Sequence, residues 1–231
     1  MAHYIELTAA DGFKFPAYEA RPAGPAKGAV VVLQEIFGIN AHIRAVVEGF
    51  AAEGYLAVAP ATFHRVKPGV ELGYTLDDVA AGVALKAAAE SLPPPGVLPD
   101  IQAAIDYAAQ ANGAAAKVGL VGYCWGGLLA WRGACLLSGV SAVVPYYGGG
   151  MTGAAEVART PRCPVLAHFG EHDQSIPLAG VTAFKDAHPD VQVQLYPASH
   201  GFNCDHRGAY DATAAALARE RTLAFLAQHL A

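Results

Sequence analysis

The chain is poor in charge. Asp, Glu, Lys and Arg make up 15% of its 231 residues, and the formal net charge is -5. No run of basic residues occurs, so the electrostatic capture on which DNA or RNA binding rests has no source, and no nucleic-acid partner is expected. Cysteine is scarce: Cys124, Cys135, Cys163 and Cys204 fall into no spaced framework. That excludes a disulfide-stapled scaffold. Cys135 and Cys163 adjoin apolar runs, which predicts buried reduced thiols and a cytoplasmic setting. Long apolar runs are missing as well. Arg132 interrupts the best membrane-span candidate, and Met1 to Glu6 carry neither a basic start nor an apolar signal core, so no membrane partner is expected. Internal repeats and low-complexity linkers are absent. Apolar residues are abundant, at 54% of the chain, enough to fill one core. A single domain over residues 1–231 is expected, and a monomer, since no exposed apolar stripe stands out.

Strand-like and helix-like segments alternate, which predicts an α/β fold: a mostly parallel sheet covered on both faces as a three-layer α/β/α sandwich. Residues 3–9 and 13–20 read as an antiparallel hairpin turning at Asp11-Gly12. Ala29 to Leu33, Tyr55 to Ala59 (stopped by Pro60), Val118 to Val121, Ala142 to Tyr146 and Val165 to Phe169 read as buried strands. Residues 191–195 alternate as an edge-side strand should. Helices are expected at 41–53 (ended by Gly54), Asp77 to Ser91 (ahead of Pro93-Pro94-Pro95), Asp100 to Ala111, directly after residue 124, at 177–187, and at 208–229 with an amphipathic pattern. Residues 62–75 read as irregular, a candidate wall of a cleft.

The chemistry concentrates at Gly122-Tyr123-Cys124-Trp125-Gly126, a G-x-C-x-G pattern between an apolar strand and a helix. This is the thiol version of a nucleophile elbow, in which flanking glycines leave room for a sharp strand-to-helix turn and the backbone N–H groups that follow face a developing oxyanion. A nucleophile needs a base, and the base an orienting partner. Asp173 and His200 both fall in loops just past strands, where open α/β sheets carry their sites. The order nucleophile, acid, histidine is that of α/β-hydrolases. Plainer readings stand beside these. Cys124 can be a small core residue, Asp173 a cap for the helix near Pro177, and His200 a loop hydrogen-bonder. His172 competes as the base, though it adjoins Asp173. His3, His42, His64, His188 and His229 read as surface or cap positions. His200, Cys204 and His206 match no zinc-ligand spacing, and neither metal nor cofactor is expected.

Gln34-Glu35-Ile36-Phe37-Gly38, Gly122 to Gly127, Tyr146-Tyr147-Gly148, Gly170 to Pro177 and His200-Gly201-Phe202 together resemble the dienelactone hydrolase family (carboxymethylenebutenolidases), from about residue 5 to the C-terminus. The resemblance implies the α/β-hydrolase fold without a large cap domain, and hydrolysis of a small lactone or ester through a Cys124 thioester. It implies backbone N–H groups of Ile36 and Trp125 as the oxyanion hole, and Phe37, Tyr146, Phe202 and Arg207 around the substrate. It also implies that Glu35 lies close to the resting cysteine and takes the thiol proton once substrate shifts it; from the residues alone, Glu35 equally suits a cap or a pair with Arg44. Family members that bind a substrate carboxylate use two arginines. Here Arg207 lies further past His200 than the family spacing, with a solvent-facing role as its alternative, and no arginine occurs between Arg65 and Arg132, which leaves Arg65 or Lys67 as substitutes. A large Trp125 ring is expected beside the nucleophile. These departures point to a related lactone, ester or thioester. A thioesterase or acyltransferase on the same residues and a non-catalytic binding protein of the same fold are the alternatives.

Overall fold

Runs of β-branched and small apolar residues build one eight-stranded sheet, seen here in a computed structural model that describes residues 2–112 and 117–230. The expected single-domain span 1–231 also takes in residues 1, 113–116 and 231, which lie outside the described residues. The strands are β1 (Ala2–Thr8), β2 (Lys14–Ala20), β3 (Ala29–Leu33), β4 (Leu56–Pro60), β5 (Val118–Tyr123), β6 (Val140–Tyr146), β7 (Leu166–Gly170) and β8 (Gln192–Tyr196). The helices are α1 (Ala41–Ala52), α2 (Leu76–Glu90), α3 (Leu98–Ala111), α4 (Trp125–Leu136), α5 (Ala154–Val157), α6 (Leu178–Ala187) and α7 (Ala212–Leu230). The sheet order is β1-β2-β4-β3-β5-β6-β7-β8. β2 is antiparallel to β1 and to β4, and every pair from β4 to β8 is parallel.

Every residue of β3, β4, β5 and β7 is buried, as strands covered on both faces must be. α1 and α7 cover one face, joined where Arg219 reaches the Gly49 carbonyl and Glu53. α3 and α4 cover the other, packing on the same central strands. β3 feeds α1 on one face, and its neighbour β5 feeds α4 on the opposite face. Their carboxyl ends lie side by side, Leu33 opposite Gly122 and Tyr123 opposite Tyr146. That reversal of direction opens the crevice in which such sheets place their chemistry.

Several boundaries differ from expectation. α7 starts at Ala212, not 208, because the Asp211 carboxylate accepts from Ala214 N–H at 2.8 Å and caps the helix there. α2 starts at Leu76, behind a reciprocal Thr75–Asp78 capping box. α3 begins two residues early, with Pro99 inside its first turn. β5 runs on to Tyr123 because its ladder with β6 continues, and Pro60 closes β4 from within, still opposite Ala17. α5 is one turn long, too short for a periodicity to announce. Residues 61–75 carry neither helix nor regular strand, yet they are tied down. Leu72 N–H donates to the Phe37 carbonyl at 2.8 Å, Gly38 bridges Glu71, and the Arg65 guanidinium is held by both Asp100 and Asp11.

Candidate active site

The end of β5 delivers Cys124 into a backbone conformation that L-residues avoid, φ 54° and ψ -114°. Its surroundings over-determine that shape. Cys124 N–H donates to the Tyr146 carbonyl at 3.0 Å, while its own carbonyl accepts from Gly127, Gly149 and Leu128 at 3.0, 3.2 and 3.3 Å. The glycines work as the motif requires. A Cβ on Gly122 would run into the Gly126 carbonyl, and one on Gly126 into the carbonyls of Leu33 and Gln34. Backbone therefore packs on backbone around the sulfur, with no room for a side chain.

The loop after β7 supplies Asp173, and the loop after β8 supplies His200. His200 Nδ1 lies 2.7 Å from Asp173 Oδ2. The Cys124 thiol is the imidazole's other close electrostatic neighbour. Burial alone would lower the His200 pKa, but Asp173 and Cys124 outweigh it and raise the value to about 10. Asp173 does two jobs. Oδ2 holds the histidine, and Oδ1 accepts from the N–H groups of Ser175 and Ile176 at 2.8 and 3.1 Å, so it also shapes the turn ahead of α6. His172, the rival base, is exposed.

The sequence model of the dienelactone hydrolase family matches residues 15–230. The chain belongs to this family. It is 37% identical over 240 residues to a carboxymethylenebutenolidase of Pseudomonas putida, an alignment covering 96% of this chain and 95% of the relative. A Synechocystis protein assigned as a carboxymethylenebutenolidase is 42% identical over 201 residues, 81% of this chain and 80% of that one. Among solved structures, a Klebsiella pneumoniae protein assigned as a dienelactone hydrolase superposes with a TM-score of 0.81 at 31% identity, over 99% of this chain and all of that one. The α/β-hydrolase fold is thus shared along the whole length.

Within this family member, the expected substrate-facing side chains divide. Arg207 sets Nη1 3.0 Å from Glu35 Oε1, with its guanidinium 5.7 Å over the Phe37 ring. The chain bends back at Gly201 (φ 83°), where a Cβ would strike that guanidinium. Glu35 is buried, and Arg207 is the partner it shows; Arg44 pairs with Glu71 instead. Tyr146 lies further in than expected, its hydroxyl 2.6 Å from Thr222 Oγ1. The ring facing His200 is that of Tyr147, 5.1 Å away between centroids and itself in a positive-φ conformation. Phe202 is fully buried behind Tyr147. Trp125 does not crowd the nucleophile: its ring is buried, stacks on Phe63 at 4.7 Å and donates to Glu90. The backbone N–H groups of Trp125 and Ile36 donate to no other described residue. Arg65 is committed to Asp100 and Asp11, and Lys67 lines a separate cavity of about 180 Å³ with Gln34 and His64.

His42 is not the surface residue expected. It is buried on α1 and, with Cys204, gathers around Glu35, one ligand-type atom of each within 4.8 Å of the others. His206 instead turns its ring toward His42 and Tyr74, so His200, Cys204 and His206 do not assemble. The burial of His42 had a legible signal: it shares an i, i+4 row with Val46 and Phe50.

Proposed function

We propose that this protein hydrolyses small lactones or carboxylic esters through a thioester on Cys124, acting as one domain, as a monomer and in the cytoplasm. The observation that carries the reading is the His200–Asp173 pair at 2.7 Å, with the Cys124 thiol as the ring's other electrostatic neighbour. The names borne by relatives aligned along nearly the full length support the bond type. No described helix is long and apolar enough to cross a membrane, and all four cysteines are free thiols.

The proposed steps are these. The Cys124 proton passes to His200, and the thiolate attacks the carbonyl carbon. The N–H groups of Ile36 and Trp125, with no other partner among the described residues, receive the oxyanion. Collapse opens the ring, and the leaving oxygen takes the proton from His200. The imidazole then accepts a proton from water, whose oxygen attacks the thioester, and the departing sulfur recovers that proton. Asp173 keeps the ring oriented throughout. Glu35 is a second acceptor for the thiol proton, brought into play when a substrate loosens its pair with Arg207. Phe37, Tyr147 and Arg207 bound the bound acyl group, with Tyr146 and Phe202 supporting them from below.

The test is a panel of lactones and p-nitrophenyl esters assayed with the native protein and a Cys124→Ala variant. Turnover should vanish in the variant while its far-UV spectrum is unchanged. Near-normal hydrolysis by that variant would remove the nucleophile and the mechanism with it.

A further inference from the structure

Glu35 gathers with His42 and Cys204, two residues that the hydrolytic steps do not use. All three are buried, at 1%, 4% and 0% exposure, and among the described residues theirs is the one such cluster of potential ligand atoms. Proximity is not the whole of it. Glu35 spends Oε1 on Arg207, but Oε2 is buried without a hydrogen-bond partner. His42 Nδ1 lies 3.2 Å from Asp205 Oδ1, while Nε2 is likewise buried and unpartnered. With the proton on Nδ1 facing the Asp205 carboxylate, the Nε2 lone pair is free. A carboxylate behind a histidine in this way is the usual arrangement for a metal-bound imidazole. Tyr74 completes the surround: its hydroxyl accepts from Asn40 Nδ2 at 3.0 Å and is an electrostatic neighbour of Cys204. Unpartnered buried polar atoms are costly, and a ligand that engages them removes the cost.

We propose that Glu35 Oε2, His42 Nε2 and Cys204 Sγ form a buried site for one thiophilic divalent cation of the zinc class, and that filling it inhibits the enzyme by fixing Glu35. The inhibitory half rests on the role given to Glu35 above; the binding half does not. A thiolate, an imidazole and a carboxylate suit zinc or cobalt, whereas calcium and magnesium prefer oxygen alone. Bonds of about 2.0–2.3 Å place tetrahedral donors about 3.5 Å apart, so the three side chains must close by roughly an ångström. The fourth position is left to water. Binding balances simply: the Cys204 thiol gives up its proton to solvent as the metal–sulfur bond forms, His42 and Glu35 bind without losing one, and Arg207 keeps its charge on Oε1. Because a thiol must lose its proton to bind the ion, one proton per ion should be released at neutral pH. His42 and Asp205 also line a surface cavity of about 280 Å³ between α1 and α7, which offers the ion a route in.

The test uses the Cys124→Ala protein, in which the catalytic sulfur cannot bind metal and turnover plays no part. Titration with Co²⁺ should give one ion per chain, a near-ultraviolet thiolate-to-cobalt band, tetrahedral visible bands and one released proton; Zn²⁺ should displace it. Adding Cys204→Ser should abolish the thiolate band, His42→Ala should weaken binding at least tenfold, and Asp205→Asn, outside the ligand set, by about 10–100-fold. No thiolate band on folded Cys124→Ala protein, or a band that survives Cys204→Ser, would overturn the site. In the native enzyme, Zn²⁺ should inhibit at the concentration at which it binds, and Asp205→Asn should shift both together. Binding with undiminished turnover, or inhibition indifferent to Asp205→Asn, would overturn the inhibitory half.

Discussion

The titration of His200 reflects its two neighbours, Asp173 and Cys124. The His200 pKa, raised to about 10 against an ordinary value of 6.5, means that the folded state holds this proton more tightly than the unfolded chain does. The stabilisation is therefore complete below about pH 6.5 and is lost as pH rises toward 10. Cys124→Ala removes one of the two groups that raise the value, so His200 should titrate lower, and the pH-dependent stabilisation should be smaller and fully lost at a lower pH. Imidazole NMR titration of both proteins checks this; identical His200 midpoints would mean that the thiol and the ring do not interact. Among the other residues, Cys124, Asp173 and His200 could be picked out from the pattern because each sits at a strand end in a fixed order. The roles of Arg207 and Tyr147 could not, since nothing local tells which of two adjacent tyrosines faces inward, or that Gly201 lets a guanidinium fold back onto Glu35.

At the level of elements, the site depends on close backbone approaches that only glycine permits. Gly126 in the first turn of α4 abuts the carbonyls of Leu33 and Gln34, so the turn that holds Cys124 and the strand end that leads to Glu35 are one packing unit. Gly126→Ala should destabilise the protein by about 1–3 kcal/mol, read from the urea midpoint, and should reduce turnover by more than that loss of folded protein explains. Gly82 plays a comparable part on α2. A Cβ there would come within 2.5 Å of the Ile36 carbonyl and 3.0 Å of its side chain. Gly82→Ala should therefore shift the Ile36 peptide, lowering kcat while KM changes little, because an oxyanion donor acts mainly in the transition state. Equal activity of the two proteins would argue against Ile36 as a donor. The order of strands and helices was readable from alternation and breakers. Helix starts were read less well, because Asp211 and Thr75 act through side-chain caps whose geometry the pattern of apolar residues does not record.

For the whole molecule, a buried histidine should govern the loss of stability in acid. His168 on β7 is held between Tyr196 Oη at 2.8 Å and Thr222 Oγ1 at 3.0 Å. Burial, reinforced by the Arg221 charge, lowers its pKa to about 3. The unfolded chain takes up this proton below about pH 6.5 and the folded one does not, so stability is full above that pH and falls on acidification by up to about 1.4 kcal/mol per unit. His168→Gln should flatten the decline in urea midpoint between pH 6.5 and 4; an unchanged slope would show that other groups carry it. The sequence alone determined the class of fold, through apolar strands alternating with helices, and singled out Cys124 as the candidate nucleophile, because a thiol between glycines at a strand-to-helix turn suits that role. Only the tertiary structure decided which groups surround the sulfur and Glu35. Arg207 and Cys204, His42, and Tyr74 come from three separate segments. Their meeting depends on how α1, the loop before α2 and the loop after β8 fold over the sheet, and distances between such segments are set by packing of the whole chain, not by spacing along it.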